Sequence, residues 1–442
     1  MLEVPDRVAQ VASFSKIDFS GCRAVIAAVS GGGDSLALLF LLKEYLARHA
    51  PGVEPVAVTV DHGIRPEAAA EAEAVAALCG GIGVSHRTMR WEEAKPATGL
   101  QQAAREARYA LLAKAAEDAG AGLILTGHTL DDRLETFAMR KRRGEGRGLA
   151  GIAPATLYDG RLWIARPLLD VHREDLRCYL RERDIAWHED PSNRDPKYER
   201  VRVRSGFAEG ADPGAHERYL GEMREAAAER IRLGTDAAAL IGRHARMVSP
   251  GLYRLDREFA RVEERDAAVY ALRILLAVVG GRAQLPDTPR TAALLDRLSE
   301  PDTRATLSRS VVEAREEGLY MRRELRGLPP AAASMPGEIW DGRYRIGTGV
   351  AEGVEIAPFG KEAAEARQAP DACSRPVLFR SALAVEPALS RDGECLGLAP
   401  AVPVAGPWAR FLPSFDLAPA VAVAELAGGA PLPASPVAPE PA

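Results

Sequence analysis

Between Arg23 and Leu180 the chain alternates short apolar runs with longer segments whose apolar positions recur at helical spacing. Ala24 to Val29, Val56 to Val60, Val84 to Met89 and Leu123 to Thr126 read as strands; Ser35 to Arg48, Glu67 to Leu78 and Leu100 to Ala119 read as the helices between them. Strands alternating with helices predict an α/β domain over residues 20–205, a doubly wound parallel sheet covered by helices. Ligands in such folds bind beyond the carboxyl ends of the strands, so the loops at Ser30, Asp61 and Gly127 are expected to open onto one crevice.

Past Phe207 the strand signal fades, and residues 206–305 read as a helical domain with breaks near Val248 to Leu255 and Gly280 to Pro289. Short alternating runs punctuated by Pro and Gly return after Leu307 and predict a small β-containing module over 306–415. The last stretch, 416–442, is Ala/Pro-rich and nearly uncharged, and is expected to be a disordered tail.

Composition narrows the class. The 442 residues suit two or three domains, and 47% apolar with 27% charged residues excludes a wholly disordered or fibrous chain. With 57 basic against 62 acidic side chains the net charge is −5, which excludes a uniformly basic nucleic-acid coat but leaves room for local basic patches. Cys22, Cys79, Cys178, Cys373 and Cys395 are odd in number, dispersed and without a C-x-x-C pair, which argues against a disulfide framework or zinc ribbon and for a reducing cytoplasm. No apolar leader opens the chain and no apolar run approaches the ~20 residues of a bilayer span, so neither export nor a membrane partner is expected.

The sharpest local signal is Ser30-Gly31-Gly32-Gly33-Asp34-Ser35, set between an apolar strand and an apolar-faced helix. Consecutive glycines let backbone N–H groups turn around an anion, and the helix start adds its positive dipole end, so these residues form a candidate phosphate cradle. The loop is not a Walker A motif, because Asp34 stands where a Lys is required. The alternative is a glycine-rich turn whose Ser and Asp merely cap the helix.

After the second strand, Asp61, His62 and Arg65 offer an acid, an imidazole and a guanidinium to a purine, ribose or phosphate, although such residues also build ordinary loops. After the fourth strand, Gly127 and His128 precede Asp131, Asp132 and Glu135 in the first turns of a helix. Acids there are favoured by the helix dipole alone, yet with ATP opposite they would also suit Mg²⁺, which takes one or two carboxylates plus phosphate oxygens. Gln101, Arg105 and Arg108 share one helix face, and basic runs at Arg140, Arg143 and Arg147 and at Arg200 and Arg204 suggest a track for RNA or else solvated surface.

Taken in order, SGGGDS, VDHGIRPE, the Gln101/Arg105/Tyr109 helix, TGHTLDDRLET, RGLAGI, RPLL and EDPSNRD over roughly residues 20–205 resemble the tRNA(Ile)-lysidine synthetase family within the PP-loop, or N-type ATP pyrophosphatase, group. The resemblance implies ATP and Mg²⁺ as cofactors, with free L-lysine and a tRNA(Ile) bearing a CAU anticodon as partners; whether the chain forms a homodimer is left open. It implies a reaction in which the wobble cytidine is adenylated, pyrophosphate leaves, and lysine displaces AMP to give lysidine. Ser30 to Ser35, Asp61, His62, Arg65, Gly127 and His128 would then bind ATP. Asp34, Asp132 and Glu135 would carry the chemistry, Asp34, Asp131 and Asp132 the metal, and Arg105, Arg108, Arg140, Arg143, Arg147, Arg200 and Arg204 the tRNA.

The chain departs from the family at Thr129, usually His or Asn, at Arg133, usually Gln, and in the spacing of Arg200, Arg202 and Arg204. Two alternatives are a PP-loop tRNA thiolase, against which stands the lack of paired cysteines, and a non-catalytic tRNA-binding protein with a vestigial ATP site.

Overall fold

A computed structural model describes residues 12–64, 66–144, 146–189, 195, 197, 199–209, 214–370 and 375–438. The chain divides into two compact units, residues 1–228 with 434–442, and residues 229–433.

In the first unit the strands β1 (Ala24–Ala28), β2 (Glu54–Asp61), β3 (Ser85–Arg90) and β4 (Leu123–Thr126) alternate with helices α1 (Gly33–His49), α2 (Ala68–Gly81) and α3 (Leu100–Ala119). After α4 (Leu130–Arg143) a hairpin of β5 (Ala155–Tyr158) and β6 (Leu162–Ala165) follows, then α5 (Arg173–Arg181) and α6 (Glu199–Glu209). The strand order is β5-β6-β4-β1-β2-β3. β1 runs parallel to β2 and to β4, with Ala24 opposite Glu54 and Ile26 opposite Ile124, while β5 is antiparallel to β6. Every residue of β1 is buried, as expected of a central strand covered on both faces. β3 is exposed and carries His86, Arg87 and Arg90, which suits an edge.

The doubly wound parallel sheet is therefore present as expected. It also contains the β5–β6 hairpin, which is absent from the periodicity reading; its turn places Asp159 and Gly160 at φ 55° and 74°, where Asp-Gly is favoured. The order reverses between β1 and β4, which makes the carboxyl ends of these two strands the switch point.

The second unit departs from the expected division. Its part of α7 (Ala215–His244) leads into β7 (Ala245–Ser249) and β8 (Leu252–Leu255), so the break near Val248 is a strand pair, and α8 (Arg265–Gly280) and α9 (Thr288–Leu298) follow. β8 pairs with β11 (Gly318–Arg323), which pairs in turn with β10 (Ser310–Arg315) and then β9 (Arg304–Leu307). That sheet crosses the expected boundary at 305/306, and α8, apolar on all sides and buried, packs against it. The expected disordered tail is corrected too: Leu417–Ala427 is a helix that buries Ala420, Val423 and Ala424, and residues 436–438 bond back to residues 16–18. Among the described residues no helix is long and apolar enough to cross a membrane.

Candidate active site

The site follows from the switch point. β1 ends at Ala28 and the chain turns through Ser30 and Gly31 into α1, whose N-cap is Gly32. Gly31 sits at φ 79°, and a Cβ there would lie 3.3 Å from Val75 Cγ2. Ser35 latches the turn: its Oγ accepts from the Ser30 amide at 3.0 Å and donates to the Gly32 carbonyl at 2.9 Å. Opposite, the β4–α4 loop comes so close that a Cβ on Gly127 would fall 2.8 Å from the Asp34 carbonyl oxygen. A cavity of about 500 Å³ opens here, within the ordinary range for small-ligand sites.

Ser30, Gly32, Gly33, Asp34 and Ser35 line this cavity from one side, and Gly127, His128 and Asp132 from the other. Arg108, Arg200 and Arg204 line it as well. His128 rests its Nδ1 on Thr126 Oγ1 at 2.9 Å. Burial first, then the positive charges of Arg166 and Arg108, hold it well below the usual imidazole range, so it is neutral at pH 7. Burial pushes the Asp34 carboxyl above the usual range, against the opposing pull of Arg173.

Four features come from residues that periodicity does not single out. Arg173, the first residue of α5, donates Nε–H to Asp34 Oδ2 at 3.0 Å and Nη2–H to Asp132 Oδ1 at 3.1 Å, and its Nη1 lies 3.4 Å from Glu135 Oε1. Arg177 lines the same cavity. Trp187 packs beside the cradle, 3.4 Å from where a Cβ on Gly33 would stand, and the His188 amide donates to the Gly31 carbonyl at 2.9 Å. The signal for Arg173 is electrostatic: a cation in the first turn of a helix opposes the dipole and needs acids to hold it there.

Other expected site residues lie elsewhere. The carboxylate of Asp131 accepts from the Arg173 amide at 2.7 Å and so caps α5 instead of facing the cavity. Burial would raise its pKa, but His172 and that amide outweigh it and hold it at about 2. Glu135 does not line the cavity; it is 2% exposed and lies behind Arg173, Arg200 and Arg204. Asp61 and His62 also stand outside the lining: Asp61 accepts from the Gly63 amide at 2.8 Å, and His62 meets Trp91 edge-on. Arg65 lies outside the described residues, as does most of the EDPSNRD segment.

The basic run is largely engaged within the fold. Arg140 donates to the carbonyls of Gly148 and Gly151 at 2.8 and 3.0 Å, and Arg143 pairs with Glu199, so neither is a free phosphate contact in this structure. Arg147 is partly buried. Arg105 is exposed over the Tyr109 ring at 5.1 Å.

A glycine-lined turn at the switch point, with Asp132 of the adjoining helix across the cavity, is the arrangement of a PP-loop ATP-binding domain, and residues 5–209 match the family model described as a PP-loop domain. The chain is 52% identical over 440 residues to tRNA(Ile)-lysidine synthase of Mesorhizobium japonicum, covering 96% of each. It is 42% identical over 372 residues to the protein of that name from Brucella melitensis biotype 2, covering 79% of this chain and 80% of that one. The chain belongs to the tRNA(Ile)-lysidine synthase family, and with it to the ligases.

Proposed function

We propose that this protein joins free L-lysine to C2 of the wobble cytidine in the CAU anticodon of tRNA(Ile), converting ATP to AMP and pyrophosphate. One observation carries the reading: the anion cradle of α1 and the acid Asp132 of α4 face a single cavity of about 500 Å³ that arginines also enter. An anion to be expelled and an amine to be bound are thereby served side by side.

In the first step the cytidine O2 attacks the α-phosphorus and the bond to the β-phosphate oxygen breaks. Backbone N–H groups of the turn latched by Ser35 would receive the departing pyrophosphate, and such preorganised donors act where charge develops. In the second step the ε-nitrogen of lysine bonds to C2, the C2–O bond breaks, and AMP leaves. That amine is protonated at neutral pH, with an ordinary pKa of about 10.4, so it must lose a proton before attack. Asp132, which lines the cavity, would orient the ammonium and accept that proton, with Glu135 behind it.

Asp34 lines the cavity beside the cradle, and its carboxylate fits Mg²⁺ completed by phosphate and water oxygens. When bound, the ion would supply charge neutralisation at the leaving pyrophosphate. The polyanionic substrate would meet Arg108 and Arg105 at the rim. Among the described residues Cys22, Cys79, Cys178 and Cys395 are free thiols, which favours the reducing cytoplasm as the place of action.

The test is incorporation of labelled lysine into unmodified tRNA(Ile) by purified protein with ATP and Mg²⁺, alongside pyrophosphate release. Label is expected in the RNA, and Asp132→Ala is expected to lower its rate on the order of 100-fold. RNA that stays unlabelled, or an undiminished rate in Asp132→Ala, would sink the assignment.

A further inference from the structure

Three carboxylates and three guanidiniums meet at the border between the cradle and α4. Asp34, Asp132 and Glu135 face Arg173, Arg200 and Arg204, so the cluster is neutral by count. Arg173 alone reaches all three acids, at 3.0, 3.1 and 3.4 Å. Arg200 and Arg204 hold Glu135 at 3.2 and 2.8 Å. An incoming ammonium therefore meets acids that already have their counter-ions, with Glu135 screened behind arginine.

The same guanidinium stands at the edge of the anion site. Its Nε bonds Asp34, in the first turn of the helix whose N-terminus forms the cradle, and both side chains line the cavity. A triphosphate in the cradle offers Arg173 a second anionic partner, and one with the oxygen geometry a guanidinium fork prefers. We infer that Arg173 is a positioning residue that makes lysine binding conditional on ATP: the triphosphate draws the guanidinium off Asp132, which opens this carboxylate to the lysine ammonium, while Glu135 stays held by Arg200 and Arg204. This inference rests on the ligase reading above and adds an order of binding to it. A purely structural strut from α5 to α1 and α4 would hold in both states and leave lysine affinity indifferent to nucleotide.

The experiment is calorimetric titration of L-lysine into the full chain, with and without saturating α,β-methylene ATP and Mg²⁺. Wild type is expected to bind lysine on the order of tenfold more tightly with the analogue present. In R173Q the coupling is expected to collapse towards one, because lysine then binds without the analogue about as well as with it. R173K, which keeps a charge but not the fork, is expected to fall between. R161Q is expected to retain the wild-type coupling, since Arg161 pairs with Glu117 at 2.7 Å and does not line the cavity.

Equal lysine affinity with and without the analogue in wild type overturns the inference, as does full coupling in a folded R173Q; the wild-type comparison decides even if R173Q fails to fold. If tRNA still acquires lysine while affinity ignores the analogue, the inference falls and the ligase reading stands. If lysine binds in neither condition and never enters tRNA, both fall.

Discussion

Gly127 illustrates how a single residue constrains the site through the backbone it lets approach. Its missing side chain makes room for the Asp34 carbonyl, which a Cβ would meet at 2.8 Å, and that atom belongs to a helix backbone unable to swing aside. Gly127→Ala should therefore push the α4 loop away from the cradle, costing about 1–3 kcal/mol in a denaturant melt and reducing pyrophosphate release more than the stability loss explains. Asp131 makes a different kind of prediction, one about pH. Its folded pKa of about 2 lies below the ordinary carboxylate value, so its stabilising contribution is complete above that ordinary value and is lost as pH falls through the folded one. With about a third of its side chain exposed, the contribution is discounted to about 1 kcal/mol. Asp131→Asn should be less stable than wild type by that amount at pH 7, and the gap should narrow between about pH 4 and pH 2. A gap that widens on acidification would refute the assignment. The cradle residues were legible because Gly-Gly-Gly between a strand and a helix has few uses. Arg173 was not, because its role depends on acids 38 to 139 positions away in the chain.

At the scale of elements, α4 accounts for Thr129 and Arg133, two of the three places where the sequence reading expects a departure from the family pattern. Thr129 is the N-cap, and its side chain and that of Asp132 close a capping box in which Asp132 Oδ2 accepts from the Thr129 amide at 2.9 Å. Arg133 pairs with Asp170 at 2.6 Å and does not line the cavity. Both residues thus serve the start of α4, and through it the position of Asp132. Thr129→Ala should cost about 1 kcal/mol in a urea melt and loosen Asp132, raising the KM for lysine, whereas Thr129→Ser should restore both. Equal kinetics in the two variants would separate the cap from the site. The principal strands and helices of the first unit were legible from apolar periodicity, and α3 spans Leu100–Ala119 as read. The helix at Leu417–Ala427 was hidden by composition. Ala and Pro suggest a tail, yet Ala is the strongest helix former and Pro419 falls in the first turn, where its missing N–H costs nothing. Its start is anchored by Asp416, 1% exposed, which accepts from Trp408 Nε1 at 3.0 Å and from Arg230 at 2.8 Å, the latter 186 positions away where no local pattern reveals it.

For the whole molecule the informative feature is the path of the chain. It builds the catalytic unit, leaves it for residues 229–433, and returns. The return is bonded: Val437 bridges Ile17, the Asp18 amide donates to the Pro436 carbonyl at 2.7 Å, and the Ala438 amide donates to the Lys16 carbonyl at 2.9 Å. The segment so held is itself tied inward, since the Ser13 amide donates to the Pro167 carbonyl at 2.8 Å and Phe14 is buried. Residues 434–438 therefore act as a strap on the catalytic unit and not as trailing chain, and a backbone hydrogen bond there contributes about 0.5–1.5 kcal/mol. Truncation after Pro433 should cost the first unit about 1–3 kcal/mol. Amide exchange should quicken at residues 13–18, while protection of the fully buried β1 is expected to change only with global stability. Exchange at 13–18 that ignores the truncation would show that the strap holds nothing. Faster exchange in β1 than the global loss predicts would instead make the strap part of the core, and would place the chain's final return among the contacts that shape the cradle.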